Sequence, residues 1–251
     1  MKDQRALAYV NLFAVLGAIP KLCELDSSAA ELIRGVDMSV CFAVKDGPVG
    51  TLVFKDGACR MVEGDAKAKI KLPFSTPEKF NGLIDGTVTP IPSRGLLHVG
   101  FLLKKFMPLS DILSKYLRAD KEALSDRGFF EKSTELMLSV IAGAVCQLAN
   151  NDRVSRSSAS YIVDGRIKID IEGGPCQVVE AKDHRLAVSA SVNDEVTSYM
   201  KFRNIDVARD LFDGNINAVA AVGLGDVMVG GMISQIDNLN RILDRVSLYL
   251  A

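Results

Sequence analysis

The sequence predicts an α+β protein made of two copies of one domain, each with a five-stranded, mainly antiparallel sheet covered on one face by helices. The first observation is a repeat, because the segment that begins at Phe74 recurs 128 residues later at Phe202. Within that segment Leu83-Ile84-Asp85-Gly86 recurs as Leu211-Phe212-Asp213-Gly214. The second observation is that alternating apolar and polar residues, typical of half-buried strands, precede the segment in both halves.

Length and charge restrict the classes of function. The 251 residues suffice for two domains, and the charged stretch from Asp120 to Asp126 places their boundary between residues 122 and 123, giving domains 1–122 and 123–251. Thirty basic and 31 acidic residues provide no excess of positive charge, so we expect no nucleic-acid partner. The five cysteines are odd in number and lack close metal-ligand spacing, which favours a reducing, cytoplasmic location.

The first half begins with helices and continues into strands. The run from Ala6 to Ile19 is mostly apolar and lacks the cleavage site of a signal peptide, so we expect a helix buried on most sides. A short helix from Ser27 to Ile33 follows. Alternation then predicts a four-stranded antiparallel meander, in which Asp56-Gly57 is a strong hairpin signal. The last strand, from Ala66 to Phe74, directs apolar side chains to one side and three lysines to the other.

A helix, a fifth strand and a closing helix complete the first half. Thr76-Pro77-Glu78 predicts a helix start, with threonine as the cap and proline in the first turn. Leu97, Val99 and Phe101 alternate and predict a short fifth strand. An amphipathic pattern from Lys104 to Leu117 predicts the closing helix.

The second half repeats this plan. A long helix from Phe129 to Asn150 precedes a strand predicted from Ser155 to Val163. The alternation through Ile167, Ile169 and Ile171 predicts the next strand, and others follow. We then expect a helix from Asn204 to Phe212, a short strand around Val227 and Val229, and a closing helix from Gln235 to Leu250.

This pattern resembles the sterol carrier protein type 2 domain family. The residues that carry the resemblance are Phe74, Pro77, Leu83-Ile84-Asp85-Gly86, Gly95 and Ile112-Leu113, and in the second copy Phe202, Leu211-Phe212-Asp213-Gly214, Gly223-Leu224-Gly225-Asp226 and Ile242-Leu243. The resemblance implies an apolar tunnel between sheet and helices that holds sterols, fatty acids or other lipids. Aligned at the same spacing, Leu97-His98 stands where the second copy has Gly225-Asp226, which implies that the two pockets differ.

The candidate ligand-binding residues are large apolar side chains expected to face that tunnel. They are Phe74, Phe80, Leu83, Phe101, Phe202, Phe212, Met228, Met232 and Ile233. The alternative interpretation is that these residues fill a solid core, because ligand pockets and cores are lined by the same residue types.

No catalytic, metal-binding or cofactor-binding group is predicted. His98 and His184 are the only histidines, and neither lies in a pattern typical of nucleophilic catalysis. The glycines between Gly223 and Gly231 lack the spacing of a dinucleotide-binding loop and the lysine of a phosphate-binding loop. We therefore expect a protein that is not an enzyme.

The sequence favours non-catalytic binding of a hydrophobic ligand, such as a fatty acid, an acyl chain or a sterol-like lipid. The alternative is a structural or interaction module with filled cavities that partners an enzyme or forms a homodimer. Transient contact with a membrane surface also stays open, because Lys67, Lys69 and Lys71 form a basic stripe. The proline-containing loop from Thr87 to Arg94 is either a docking loop or a rigid connection.

Overall fold

The computed structural model of the protein describes residues 2–250. The chain divides into two compact units, the first ending at Lys132 and the second beginning at Ser133. Helices and one sheet occur in each unit, which confirms the predicted α+β class. Both units contain, in chain order, a leading helix, a short helix, four strands, a cover helix and a closing helix.

Four helices belong to the first unit. They are the leading helix Gln4–Leu25, the short helix Ser27–Ile33, the cover helix Pro77–Ile84 and the closing helix, residues 96–117. The predicted caps are present, since the Thr76 side chain accepts a hydrogen bond from the Lys79 N–H. The leading and closing helices each contain a π turn, at Asn11–Val15 and Leu102–Phe106.

The leading helix of the first unit is apolar enough, and at 22 residues long enough, to cross a membrane by length and composition alone. Its apolar side chains are nevertheless packed inside the protein. Ala6, Val10, Leu12 and Ile19 are all fully buried. This agrees with the predicted helix that is buried on most sides.

The sheet of the first unit has four strands in the order β3-β2-β1-β4. They are β1 Met38–Val44, β2 Val49–Lys55, β3 Ala58–Glu63 and β4 Ile70–Phe74. The predicted meander is wrong at β4, which lies beside β1 and runs parallel to it, with Phe42 opposite Leu72. Alternation indicates which face a side chain takes but not which strand is its neighbour, so the sequence could not supply this pairing.

The predicted fifth strand of the first unit is wrong. Leu97, Val99 and Phe101 lie in the first turns of the closing helix, and beyond β4 only a single bridge, from Lys71 to Arg94, continues the sheet. The helical spacing of the buried residues of the closing helix extends upstream and prevails over the short alternation. These buried residues are Leu102, Phe106, Leu109, Leu113 and Tyr116.

The second unit contains five helices. They are the leading helix Arg127–Asn151, the short helix Arg153–Ala159, the cover helix Ile205–Phe212, an inserted helix Ala218–Gly223 and the closing helix Ile233–Leu250. The strand predicted from Ser155 to Val163 is wrong, because the short helix occupies that stretch. Asp152 caps this helix by accepting a hydrogen bond from the Ser155 N–H at 2.9 Å.

The sheet of the second unit has the five strands expected, in the order β7-β6-β5-β8-β9. They are β5 Gly165–Ile171, β6 Cys176–Lys182, β7 Arg185–Val188, β8 Ser198–Phe202 and β9 Val227–Gly231. Strand β5 is antiparallel to β6 and parallel to β8, as β1 is to β2 and β4. The two sheets therefore share one topology, to which the second unit adds β9.

The repeat extends without a gap only to Gly86 and Gly214, which both have a positive φ, 71° and 73°. The predicted pairing of Gly95 with Gly223 is wrong. A Cβ on Gly95 would collide with the Lys69 carbonyl oxygen, and a Cβ on Gly231 would collide with the Thr197 carbonyl oxygen, 128 residues later. Gly231 is thus the counterpart of Gly95, and the inserted helix supplies the additional length. Ile233, not Gly225, corresponds to Leu97.

Candidate functional site

Aromatic rings fill the space between the sheet and the helices in the first unit. Phe42 of β1 contacts Phe80 of the cover helix at 6.1 Å and Phe106 of the closing helix at 5.7 Å between ring centroids. Phe74 contacts Phe80 at 5.1 Å. All four rings are buried. Two of the predicted wall residues, Phe74 and Phe80, therefore pack against other rings in the core.

The other two candidates in the first unit lie at the edge of this core. Phe101, on the first turns of the closing helix, is half-buried and packs against Phe54 of β2 at 5.5 Å. Leu83, on the cover helix, is also half-buried. Both side chains add to the same packed layer.

The second unit has fewer rings in the corresponding space. Phe202 of β8 is buried and contacts the half-buried Phe212 of the cover helix at 5.6 Å. Its neighbours on the inner face of the sheet are mainly aliphatic, as with Ile167, Ile169 and Met200. Aliphatic and thioether side chains rearrange more readily than interlocked rings, so this interior can adapt more easily.

The remaining candidates, Met228, Met232 and Ile233, lie where β9 meets the closing helix of the second unit. They are 46%, 47% and 84% exposed. Beside them is a surface depression of about 230 Å³, which we call the second-unit depression; it is lined by Val229, Gly230, Gly231, Ile233, Ile236, Asp237 and Asn240. The predicted apolar residues thus border an open site rather than an enclosed tunnel.

A second depression, of about 300 Å³, occupies the corresponding place in the first unit and is called here the first-unit depression. Its lining is Lys69, Ser93, Arg94, Gly95, Leu96, Leu97 and His98. The positions correspond because Gly95 and Gly231 are equivalent. The chemistry differs, since the first-unit depression includes two cations, whereas the second-unit depression is largely aliphatic.

Buried polar groups tie the cover helix to the leading helix in each unit. In the first, Asn11 donates to the Asn81 side-chain oxygen at 3.1 Å. In the second, Arg209 donates to the Ser133 hydroxyl and to the Asp213 carboxylate, both at 2.8 Å. Sequence reasoning missed these contacts, because the two partners are far apart in the chain. They are satisfied internally and stabilise the packing of the helices.

Each closing helix is anchored on the aspartate that caps the short helix. Tyr116 donates to Asp26 at 2.8 Å in the first unit. In the second unit Tyr249 donates to Asp152 at 2.8 Å, and Arg245 donates to it at 3.2 Å. The helix spacing of these residues could have suggested a shared face, but nothing in the sequence pairs them with the caps.

These contacts alter the ionisation of the groups involved. Partial burial raises the pKa of both aspartates, but the hydrogen bonds donated to their carboxylates outweigh burial and hold each pKa below its usual range. Burial and the Asp26 carboxylate together raise the pKa of Tyr116 to about 12. Both aspartates are therefore charged, and Tyr116 neutral, at physiological pH.

Nothing among residues 2–250 assembles a recognisable catalytic or metal centre. His98 and His184 are exposed, and no group of three or more His, Cys, Asp or Glu side chains could hold a metal ion within that range. Burial raises the pKa of Cys23 to about 11 and that of Cys146 to about 12. Thiolates are the reactive form, so these two thiols are poor nucleophiles.

Solved structures of sterol carrier proteins are similar to part of this chain, whereas no protein-family model and no curated protein matches it. A sterol carrier protein domain of Helicoverpa armigera is 15% identical with a TM-score of 0.36, over 44% of this chain and 88% of its own. Sterol carrier protein 2 from Yarrowia lipolytica is 16% identical with a TM-score of 0.32, over 44% and 91%. The UbiJ-SCP2 ubiquinone synthesis protein is 15% identical with a TM-score of 0.34, over 43% and 95%.

Proposed function

We propose that this protein binds a hydrophobic molecule without transforming it, and that the second unit takes the ligand. The observation that carries this proposal is the cluster of exposed apolar side chains around the second-unit depression, including Met228, Met232 and Ile233. A fatty acid, an acyl chain or a sterol-like lipid has the matching chemistry. Sterol carrier proteins, to which one unit is similar, carry such a ligand class in their names.

The ligand would enter between β9 and the closing helix. The second-unit depression, at about 230 Å³, is smaller than the roughly 300 Å³ at which ligand pockets begin, so the closing helix must move outward to admit a lipid. Such movement would uncover Ile236 and the aliphatic interior beneath. Burial of apolar ligand surface contributes about 25 cal/mol per Å², so few polar contacts would be needed.

The first unit would have a different role. Its interior is occupied by four interlocked phenylalanine rings, and moving them would uncover a large apolar area. We therefore propose that only the second unit has an apolar cavity that opens between sheet and helices. A cytoplasmic location belongs to the same proposal, supported by five cysteines that are all unpaired.

Displacement of a fluorescent fatty acid from the purified full chain tests the proposal. We expect saturable binding, and native mass spectrometry should detect a co-purifying lipid. Ile233→Asp should weaken fatty-acid binding by about tenfold, because it places a charge at the entrance. The matched control is Leu97→Asp at the equivalent position of the first unit, which should leave fatty-acid binding unchanged. Equal loss in both variants, or absence of binding, would contradict the proposal.

A second function is favoured by one further observation. The inserted helix and the turn after it expose Val219 by 81% and Leu224 by 77%, as expected for a surface that a protein partner covers. In this alternative the protein is an interaction module that docks an enzyme or a second copy of itself. It predicts concentration-dependent association that Val219→Asp abolishes, measured by analytical ultracentrifugation, together with no fatty-acid binding.

A further inference from the structure

The exposed apolar side chains of the first unit are concentrated in one segment, residues 86–110. Every large apolar side chain that is exposed among the described residues of this unit lies there, namely Ile91, Leu96, Leu97, Leu103 and Met107. Their exposure ranges from 52% at Met107 to 98% at Leu97. Single exposed apolar residues scattered over a surface are ordinary, whereas a concentration of them marks an interaction surface.

The charge of this segment has one sign. No acidic residue occurs between Asp85 and Asp111, whereas Arg94, Lys104 and Lys105 lie between them. Within residues 2–250 neither lysine has an ion-pair partner, although Arg94 lies 3.5 Å from the Asp65 carboxylate. The exposed apolar side chains are therefore accompanied by positive charge that is not neutralised locally.

Helix geometry places part of this segment on the outer face of the closing helix. The side chains of this helix that face the core recur at alternating spacings of four and three residues, namely Leu102, Phe106, Leu109, Leu113 and Tyr116. Leu103 and Met107, four residues apart, are exposed on the outer face. One turn later this face becomes polar, with Asp111 and Ser114. The apolar stripe is thus confined to the first turns.

The second unit shows that the fold does not require this surface. The buried positions of its closing helix recur 133 residues later, as Leu239, Ile242, Val246 and Tyr249. At that spacing Lys104 corresponds to Asp237 and Met107 to Asn240. Asp237 forms an ion pair with Arg241 at 3.2 Å, as is ordinary on a solvated helix. The apolar and basic character is therefore particular to the first unit.

We propose that residues 86–110 form a docking surface for a membrane that contains anionic lipids. Leucine and methionine side chains would enter the boundary between headgroups and acyl chains, while Lys104, Lys105 and Arg94 would contact lipid phosphates. Charge selects this occupant, since a second copy of the chain would bring the same unpaired lysines against each other. The surface lies outside the second-unit depression, so the proposal stands apart from ligand binding.

A single tryptophan can report the docking directly, because the chain contains none. Leu97→Trp should show a blue-shifted emission when the full chain is mixed with vesicles of phosphatidylcholine containing about a third phosphatidylglycerol, and the bound fraction should fall as salt is raised. Vesicles of phosphatidylcholine alone should bind much less. Val219→Trp in the second unit is the control reporter and should not shift.

Variants of the proposed surface complete the test. Reversing both lysines, with Lys104→Glu and Lys105→Glu, should weaken vesicle binding by at least about tenfold, since each basic residue near an anionic surface contributes roughly 1 kcal/mol. Leu96→Ser combined with Leu97→Ser should weaken it as well. Lys79→Glu, on the cover helix, is the matched charge reversal and should retain binding.

Two results would overturn the proposal. One is the absence of binding to anionic vesicles, or an equal effect of the surface and control variants. The other is self-association without vesicle binding that Leu96→Ser with Leu97→Ser abolishes, which would assign the surface to a second copy of the chain. Fatty-acid displacement, measured on the same samples without vesicles, reports ligand binding separately, so failure of one proposal is distinguishable from failure of the other.

Discussion

The two units share a topology but differ in what lies between sheet and helices. In the first, Phe42, Phe74, Phe80 and Phe106 interlock. In the second, one pair of rings stands among aliphatic side chains and the entrance at Ile233 is exposed. One arrangement of strands therefore supports a rigid core and an adaptable one, and the side chains, rather than the topology, decide which unit can accept a ligand.

The largest expected effect is on the ring cluster of the first unit. Phe80→Ala should lower the free energy of unfolding by about 4 kcal/mol, because it removes a fully buried ring and leaves a cavity. Phe212→Ala, which removes a half-buried ring of the second unit, should cost about half as much. Chemical denaturation followed by circular dichroism measures both. Similar losses would contradict the difference in core packing between the units.

The anchors of the closing helices give the next effect. Asp152→Ala should cost about 3 kcal/mol, because it leaves Arg245 and Tyr249 without their shared carboxylate in a nearly buried site. Asp26→Ala removes a carboxylate that receives one side-chain donor at the same place, and should cost about half of that. Hydrogen exchange resolves each closing helix separately. A larger loss in the first unit would reverse the comparison.

Three glycine variants test the structural correspondence of the units. Gly95→Ala and Gly231→Ala should each cost about 2 kcal/mol, because both glycines have a positive φ and face backbone atoms of the preceding strand. Gly223→Ala has open space around the new Cβ and should change stability by less than about 1 kcal/mol. Thermal denaturation distinguishes them. A large effect at Gly223 would restore the alignment that the sequence repeat suggested.

The smallest expected effect concerns pH and belongs to Tyr116. Because the folded state raises the pKa of this tyrosine from about 10 to about 12, its hydrogen bond to Asp26 stabilises the protein fully below pH 10 and is lost as the pH rises through 12. Tyr116→Phe should cost about 1 kcal/mol at neutral pH and should lose less stability over that alkaline range. Unfolding measured at several pH values, with Lys79→Glu as an unrelated control, decides the matter.

Local signals in the sequence predicted most of the elements. Asp56-Gly57 and the cap at Thr76 were sufficient for a hairpin and a helix, and the short helix was predicted with its observed bounds, Ser27–Ile33. The parallel pairing of β4 with β1 could not be predicted, because it depends on the path of the chain between strands. At Ser155 a signal was present, since Asp152 is a good helix cap, but the apolar residues up to Val163 suggested a strand.

The candidate site was predictable only in part. Residue type identified the apolar side chains, but Phe74 and Ile233 read alike in the sequence although one is 4% and the other 84% exposed. That difference arises from tertiary packing, which a single sequence does not encode in any short pattern. The repeat also misplaced the counterpart of Gly95, because Gly223 has a similar neighbour and the inserted helix left no mark in composition.

The buried thiols make it possible to time the opening of each unit. Cys41 in the first unit and Cys146 in the second are buried, and neither is oxidised to a disulfide. An alkylating reagent can reach such a thiol only during a transient exposure, so the rate of modification measures how often that unit opens. Peptide mapping of the two cysteines in one sample would thus compare the opening frequencies of the two units, and added fatty acid should slow only the modification of Cys146.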